Sequence, residues 1–205
     1  MVGRVAGIVS LEKRARQSGG VESRPLSHPS SQDTRTMKVS AYSLLVEQNA
    51  RMLQNLSTVL DKGIASAQAR KFDPNVLVNS RLAPDMFPLS RQVQIACDSA
   101  KNGVARLAGV EPPKHEDNEQ TMDELKARVA KALDFVKSVP AAKFDGAEER
   151  DVKIPLRDRT LEMKGLTYLQ SWVLPNLYFH ITTTYAILRN NGVDIGKQDF
   201  LGPVT

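Results

Sequence analysis

One stretch near the C-terminus, PNLYFHITTTYAILRNNGVDIG (175–196), does most to limit the folds open to this chain. It reads as one helix, and it stops at Arg189, two asparagines and Gly192, which together form a typical helix C-terminus. His180 falls on the apolar face, and Asn176 lies one turn earlier on the same face. Helical bundles build internal metal and ligand sites from such inward polar side chains, so the stretch predicts a bundle with a polar position inside it.

The first predicted helix runs from about Ser40, a good N-cap, to about Ala69. Its apolar residues follow at alternating three- and four-residue steps, as in the seam of a bundle: Tyr42, Leu45, Met52, Leu56 and Val59. Asn49 occupies the seam position between Leu45 and Met52. A single seam asparagine fixes the helix register or binds one buried partner, and less often it lines an internal polar pocket.

The second long helix follows a proline-marked link, in which Asp73 and Pro74 predict a short extra helix over about 73–80. The long helix begins near Pro88 and ends at Gly109. Its apolar stripe consists of Val93, Ala96, Cys97, Ala100, Val104 and Leu107.

Two side chains of this helix bear on function. Gln94 lies on the border of the apolar stripe and is of interest only if it points at His180. Cys97, the only cysteine, lies on the stripe itself, so we expect a buried, inert thiol and no intrachain disulfide.

The third helix opens at Thr121, with Glu124 three residues later, which is the capping-box signature, and Pro140 closes it. Its inner face comprises Leu125, Val129, Ala132, Leu133 and Val136. We interpret its basic residues Lys126, Arg128 and Lys131 as part of a solvated face. His115, in the loop before this helix, is interpreted as a surface histidine.

The period changes to two in DVKIPLRDRTLEMKG (151–165), where apolar and polar residues alternate around a polar turn. This pattern predicts a two-stranded hairpin that must pack against the bundle, because an isolated hairpin is only marginally stable. The fourth helix then runs from about 166 to 190, and Pro175 inside it should cause a kink.

Residues 1–36 have no regular period, and they carry net +3 of the chain's formal charge of +5. Three interpretations stay open: a disordered tail, which can arise from a start codon upstream of Met37; a targeting leader, mitochondrial in type; or a functional arm. The remainder, 37–205, is predicted to form one cytoplasmic domain. It has no membrane-spanning run, and its near-neutral charge and lack of a basic helix face argue against nucleic-acid binding.

Four blocks of this sequence resemble an uncharacterised branch of the DinB-like proteins: NARMLQNL (49–56), RLAPDMFPLSRQVQIACD (81–98), RLAGVEPP (106–113) and PNLYFHITTTYAILRNNGVDIGKQDFLG (175–202). The resemblance covers about residues 37–203. It implies an all-α DinB-like four-helix bundle with long crossover connections, and the small β-hairpin then falls between helices 3 and 4.

The same resemblance bears on metal binding. Many DinB-like proteins hold a divalent metal with three histidines, one on helix two and two on helix four, and some are thiol-dependent transferases or isomerases. At those positions this chain has Gln94, Asn176 and His180. Amide oxygens are weak ligands for zinc or nickel, so we expect no resident cofactor, and a divalent metal at His180 is the minor alternative. If Asp98 turned inward, it would supply a carboxylate to such a site.

Two classes of function stay open. In the first, the chain is a small-ligand-binding or interaction module whose pocket comprises Asn49, Gln94, Asn176, His180 and Tyr185. In the second, it is a DinB-type transferase or isomerase that uses His180 as a metal ligand or general base. Helix-turn-helix DNA binding is a weaker third interpretation. A small molecule and a second copy of the chain are the candidate partners.

Overall fold

The computed structural model describes residues 40–203, so the predictions about residues 1–36 lie outside the described part. Four long helical segments form the bundle. A π-helical turn, Ser43–Glu47, continues into α1, Gln48–Ala69, and α2 spans Leu89–Ala108. α3 spans Met122–Ser138. The fourth segment comprises α4, Gly165–Tyr168, a π-helical turn, Leu169–Val173, and α5, Leu174–Asn190.

Of the small elements, the sequence predicted the short helix before α2 and the hairpin. A 3₁₀ helix, Pro74–Asn79, precedes α2, and 3₁₀ turns at Ala141–Phe144 and Ala147–Glu149 precede the hairpin. The hairpin pairs β1, Asp151–Pro155, with β2, Thr160–Lys164, in antiparallel register. A short α6, Lys197–Leu201, follows the bundle and was not predicted.

The predicted helix ends are confirmed. The Thr121 hydroxyl accepts from the Glu124 backbone N–H at 3.2 Å, and the Glu124 carboxylate accepts from the Thr121 N–H at 2.9 Å, so the capping box is complete. Gly109 ends α2 with a φ of 66°, a left-handed conformation that favours glycine. Pro175 is the second residue of α5, after the π-helical turn that ends at Val173, and this early position tolerates a residue that has no N–H to donate.

The order of the helices in space explains the long links. α2 packs against both α3 and α5, and α1 packs against α3 and also contacts α5. α1 and α2, although consecutive in sequence, contact each other much less, so they occupy opposite corners of the bundle. The chain must therefore cross one end of the bundle between them, which requires a long connection.

α2 and the π-helical turn that leads into α5 approach each other closely at Gly103. A Cβ at this position would lie 2.5 Å from Cγ1 of Val173, far closer than two carbon atoms can pack. The missing side chain therefore sets the distance between the two helices that carry Gln92 and His180.

One sequence interpretation is wrong: Arg128 does not belong to a solvated face. Its side chain is 2% exposed, and its guanidinium binds Asp98 of α2 at 3.0 Å, Asp117 at 3.1 Å and Glu119 at 3.0 Å. The loop before α3 folds back over that helix and supplies two of these carboxylates, which the periodicity of α3 alone cannot reveal. We name Arg128, Asp98, Asp117 and Glu119 the Arg128 cluster.

His115 is half-buried beside the Arg128 cluster, not fully on the surface, and its Nδ1 is buried with no hydrogen-bond partner in residues 40–203. Burial lowers the pKa of His115, and the charges of Lys101 and Arg128 lower it further. Cys97 is buried as expected, and burial raises the pKa of its thiol to about 12. The thiol is therefore not a nucleophile at neutral pH.

Candidate functional site

His180 lies on the inward side of α5 and is 9% exposed. Its Nδ1 lies 2.7 Å from Oε1 of Gln92 on α2. The Nε2 of the same amide donates to the backbone carbonyl of Phe87 at 3.2 Å, which fixes the orientation of the amide. Because an amide oxygen can only accept, the network assigns the ring proton to Nδ1 of His180. The neutral imidazole therefore carries its lone pair on Nε2.

The surroundings of His180 favour that neutral form. Burial lowers the pKa of His180, and the positive charge of Arg91 lowers it further. Nε2 has no hydrogen-bond partner within residues 40–203, so the described part of the chain leaves its lone pair unengaged. The ring of Phe179 stands perpendicular to the imidazole, with the two centroids 5.1 Å apart.

The threonines of α5 do not compete for the imidazole. The hydroxyl of Thr184 donates to the backbone carbonyl of His180 at 2.9 Å, and that of Thr183 donates to the carbonyl of Phe179 at 2.8 Å. Thr184 lies one turn after His180 on α5, yet its hydroxyl binds the backbone, and Gln92 is the ring's partner.

Gln94, which the sequence placed opposite His180, turns to the other side of α2. Its Nε2 donates to the carboxylate of Glu119 at 2.9 Å, and its Oε1 accepts from Arg91 at 3.1 Å. Two positions along a helix turn the side chain by about 200°, so residues 92 and 94 cannot both face α5. Gln92 was missed, although it lies one turn before Ala96 of the apolar stripe, which was the available signal.

The other predicted pocket residues have separate environments. Asn176 donates to the backbone carbonyl of Trp172 at 2.7 Å and lines a cavity of about 170 Å³ between α2 and α5. Asn49 is fully buried, and neither atom of its amide has a partner in the described part of the chain. Tyr185 donates to the carbonyl of Ile195 at 3.4 Å and so helps to hold the segment after α5. The five side chains do not share one hydrogen-bond network.

The residues at the family's metal positions do not fit a metal centre. The amides of Gln94 and Asn176 are engaged as described, and His180 has one free ring nitrogen. Asp98 is bound to Arg128, so it does not turn towards His180 as a carboxylate ligand. Within residues 40–203, no three His, Cys, Asp or Glu side chains gather as a metal site would require. A single imidazole nitrogen falls short of the three protein ligands that catalytic zinc sites use.

Comparison with known families decides the identity of the domain. A family described as a domain of unknown function, DUF1993, matches residues 41–201. The chain belongs to the DUF1993 family. The crystal structure of a DinB family member protein from Shewanella denitrificans is 47% identical to this DUF1993 chain, with a TM-score of 0.75. That similarity covers 80% of this chain and 92% of the Shewanella chain, so the DUF1993 domain is a DinB-like bundle.

The DUF1993 match and the Shewanella structure confirm the predicted resemblance, and the helices and hairpin of residues 40–203 confirm the predicted fold. No curated protein matches the sequence. Among the described helices, none is long and apolar enough to cross a membrane. Neither the family description nor the name of the Shewanella protein specifies a reaction or a ligand.

Proposed function

We propose that this DUF1993 domain is a small-ligand-binding module in which Nε2 of His180 accepts a hydrogen bond from the ligand. The observation that carries the proposal is the bond between Gln92 and His180, because it holds the proton on Nδ1 and leaves the lone pair on Nε2, which has no partner within residues 40–203. The lowered pKa of His180 keeps this acceptor neutral at physiological pH.

The surroundings of Nε2 restrict the chemistry of the ligand. Arg91 raises the local positive potential, so an ammonium group is disfavoured as the hydrogen-bond donor. Phe87, whose side chain is more than half exposed and whose backbone carbonyl binds Gln92, offers aromatic surface beside the site. The ligand class that fits is a neutral molecule with an apolar body and one hydroxyl or amide N–H.

The same neutral lone pair also supports a second function, that of a DinB-type transferase or isomerase with His180 as general base. The chain supplies no nucleophile of its own for such a reaction at Cys97, which is buried and protonated. Metal content separates this alternative from the first. Stoichiometric zinc, nickel, iron or manganese in protein purified without chelator, lost on His180→Ala, would make the transferase the leading function.

The binding proposal is tested with a set of neutral fragments that each have an apolar body and a single hydroxyl or amide N–H. Binding is followed through the side-chain ¹⁵N signals of His180 in the labelled full-length protein. We expect fragments that shift the Nε2 signal, and we expect their affinity to fall at least tenfold in His180→Phe, which keeps an aromatic ring but removes the acceptor. Gln54→Leu, on the exposed face of α1, is the matched control. Fragments that bind wild type and His180→Phe equally, or no binding at His180, would contradict the proposal.

A further inference from the structure

α5 differs from the other long helices in its outward surface. From Leu174 to Leu188 it contains no Asp, Glu, Lys or Arg, whereas α1 and α3 carry charged residues such as Arg51 and Lys131 on their exposed faces. Charged or polar residues normally occupy the outward face of a surface helix. In this chain, however, Phe179 of α5 is 58% exposed, and Thr182 is exposed as well.

This uncharged surface borders an apolar groove of about 500 Å³ between α5 and the segment that precedes α2. We name this surface the α5 face; its residues are Leu82, Met86, Tyr178, Phe179, Thr182, Thr183 and Ala186. Phe179 lines the groove, and more than half of its side chain is open to solvent. The α5 face therefore offers both an aromatic projection and an apolar recess into which such a projection can pack.

We propose that a second copy of this chain covers the α5 face. A two-fold axis places the same surface of both copies in contact. A face that carries charge of one sign would then repel its copy, whereas an uncharged face avoids this repulsion. The projection and the recess lie side by side on one surface, so Phe179 of each copy can pack into the groove of the other. The charged residues nearest the groove in sequence, Arg81 and Asp85, are both exposed and have opposite signs, which suits pairing across such an axis.

Sedimentation velocity on the full-length chain over a range of concentrations tests this proposal. We expect a dimer that becomes a monomer in Phe179→Lys, because two buried ammonium groups would then face each other. Val76→Lys is the control, since Val76 is 64% exposed but does not line the groove, and this variant should remain dimeric. A monomeric wild-type chain, or a dimer that Phe179→Lys leaves intact, would overturn the proposal.

A cross-link places the interface independently. Thr182 is exposed near the middle of α5, where the two copies of an antiparallel pair approach each other most closely, and the buried Cys97 does not react. With oxidised glutathione as the oxidant, Thr182→Cys should form a disulfide-linked dimer. Thr58→Cys, on the exposed face of α1, should remain largely uncrosslinked. Equal cross-linking of the two variants would show that the α5 face is not the interface.

Discussion

Gln92 fixes which nitrogen of His180 carries the proton. The amide binds the imidazole with its oxygen and the carbonyl of Phe87 with its nitrogen, so neither side chain can turn without leaving a buried group unpaired. This arrangement resembles the way in which outer partners orient the histidines of metal and catalytic sites. In the DUF1993 domain it holds a single neutral acceptor at the junction of α2 and α5.

Gln92→Leu should lower the free energy of unfolding by about 1 to 3 kcal/mol, because it leaves the Nδ1–H of His180 without an acceptor. Urea denaturation followed by circular dichroism measures the change. Gln54→Leu places the same substitution on an exposed position of α1 and should change stability by less than about 0.5 kcal/mol. Equal effects of the two substitutions would mean that the bond to His180 contributes nothing to folding.

Arg128→Met should cost about 1.5 to 3 kcal/mol of stability, because Asp98, Asp117 and Glu119 would lose the charged hydrogen-bond donor that holds them together. Arg128→Lys should cost less but still weaken the protein, since an ammonium group cannot bind several carboxylates in fixed geometry. Thermal and urea unfolding are the measurements. Lys131→Met, one turn further along α3 and exposed, is the matched control. A loss for Arg128→Met no larger than the loss for Lys131→Met would contradict the role given to the Arg128 cluster.

Stability should fall as the pH is lowered, and part of the fall should belong to His180. Its pKa in the folded protein is lowered, so the unfolded chain binds the proton more readily and acid favours unfolding. The stability contribution is complete above the unfolded pKa of about 6.5 and decreases below it, by at most about 1.4 kcal/mol per pH unit for one proton.

The measurement is the difference in unfolding free energy between pH 7.5 and pH 5.5. His180→Asn should reduce this difference, whatever its effect on stability at pH 7.5. His115 also has a lowered pKa, so the comparison is repeated in a His115→Asn background. If His180→Asn leaves the difference in unfolding free energy unchanged in the His115→Asn background, His180 has the same pKa in the folded and unfolded chain.

The sequence predicted the bundle well because its signals are local. The capping box at Thr121, the left-handed Gly109 and the alternation of the hairpin each depend on residues a few positions apart. Which side chains contact each other in the site depends on the rotation of each helix about its own axis and on loops that fold back over the helices. Gln92 and Gln94 differ by two positions and face opposite sides, and Arg128 is buried only because its covering loop carries acids.

Introducing histidines tests which residue of α2 faces His180. Gln92→His together with Asn176→His should create a site that binds zinc, because position 92 faces His180 and position 176 lies one turn before it on α5. Gln94→His together with Asn176→His is the control and should bind zinc no better than wild type, since position 94 faces Glu119. Isothermal titration with zinc measures both. Tighter binding by the control pair would contradict the assigned rotation of α2.

Long-range ¹H–¹⁵N correlation spectra of the labelled full-length protein measure the protonation state and tautomer of the His180 ring directly. The three histidines of the chain are assigned by substituting each in turn. At pH 7.5 we predict a neutral His180 with its proton on Nδ1 and an unprotonated Nε2, and we predict that Gln92→Leu relaxes this preference. A His180 that is protonated on Nε2, or that is an imidazolium at this pH, would contradict the account.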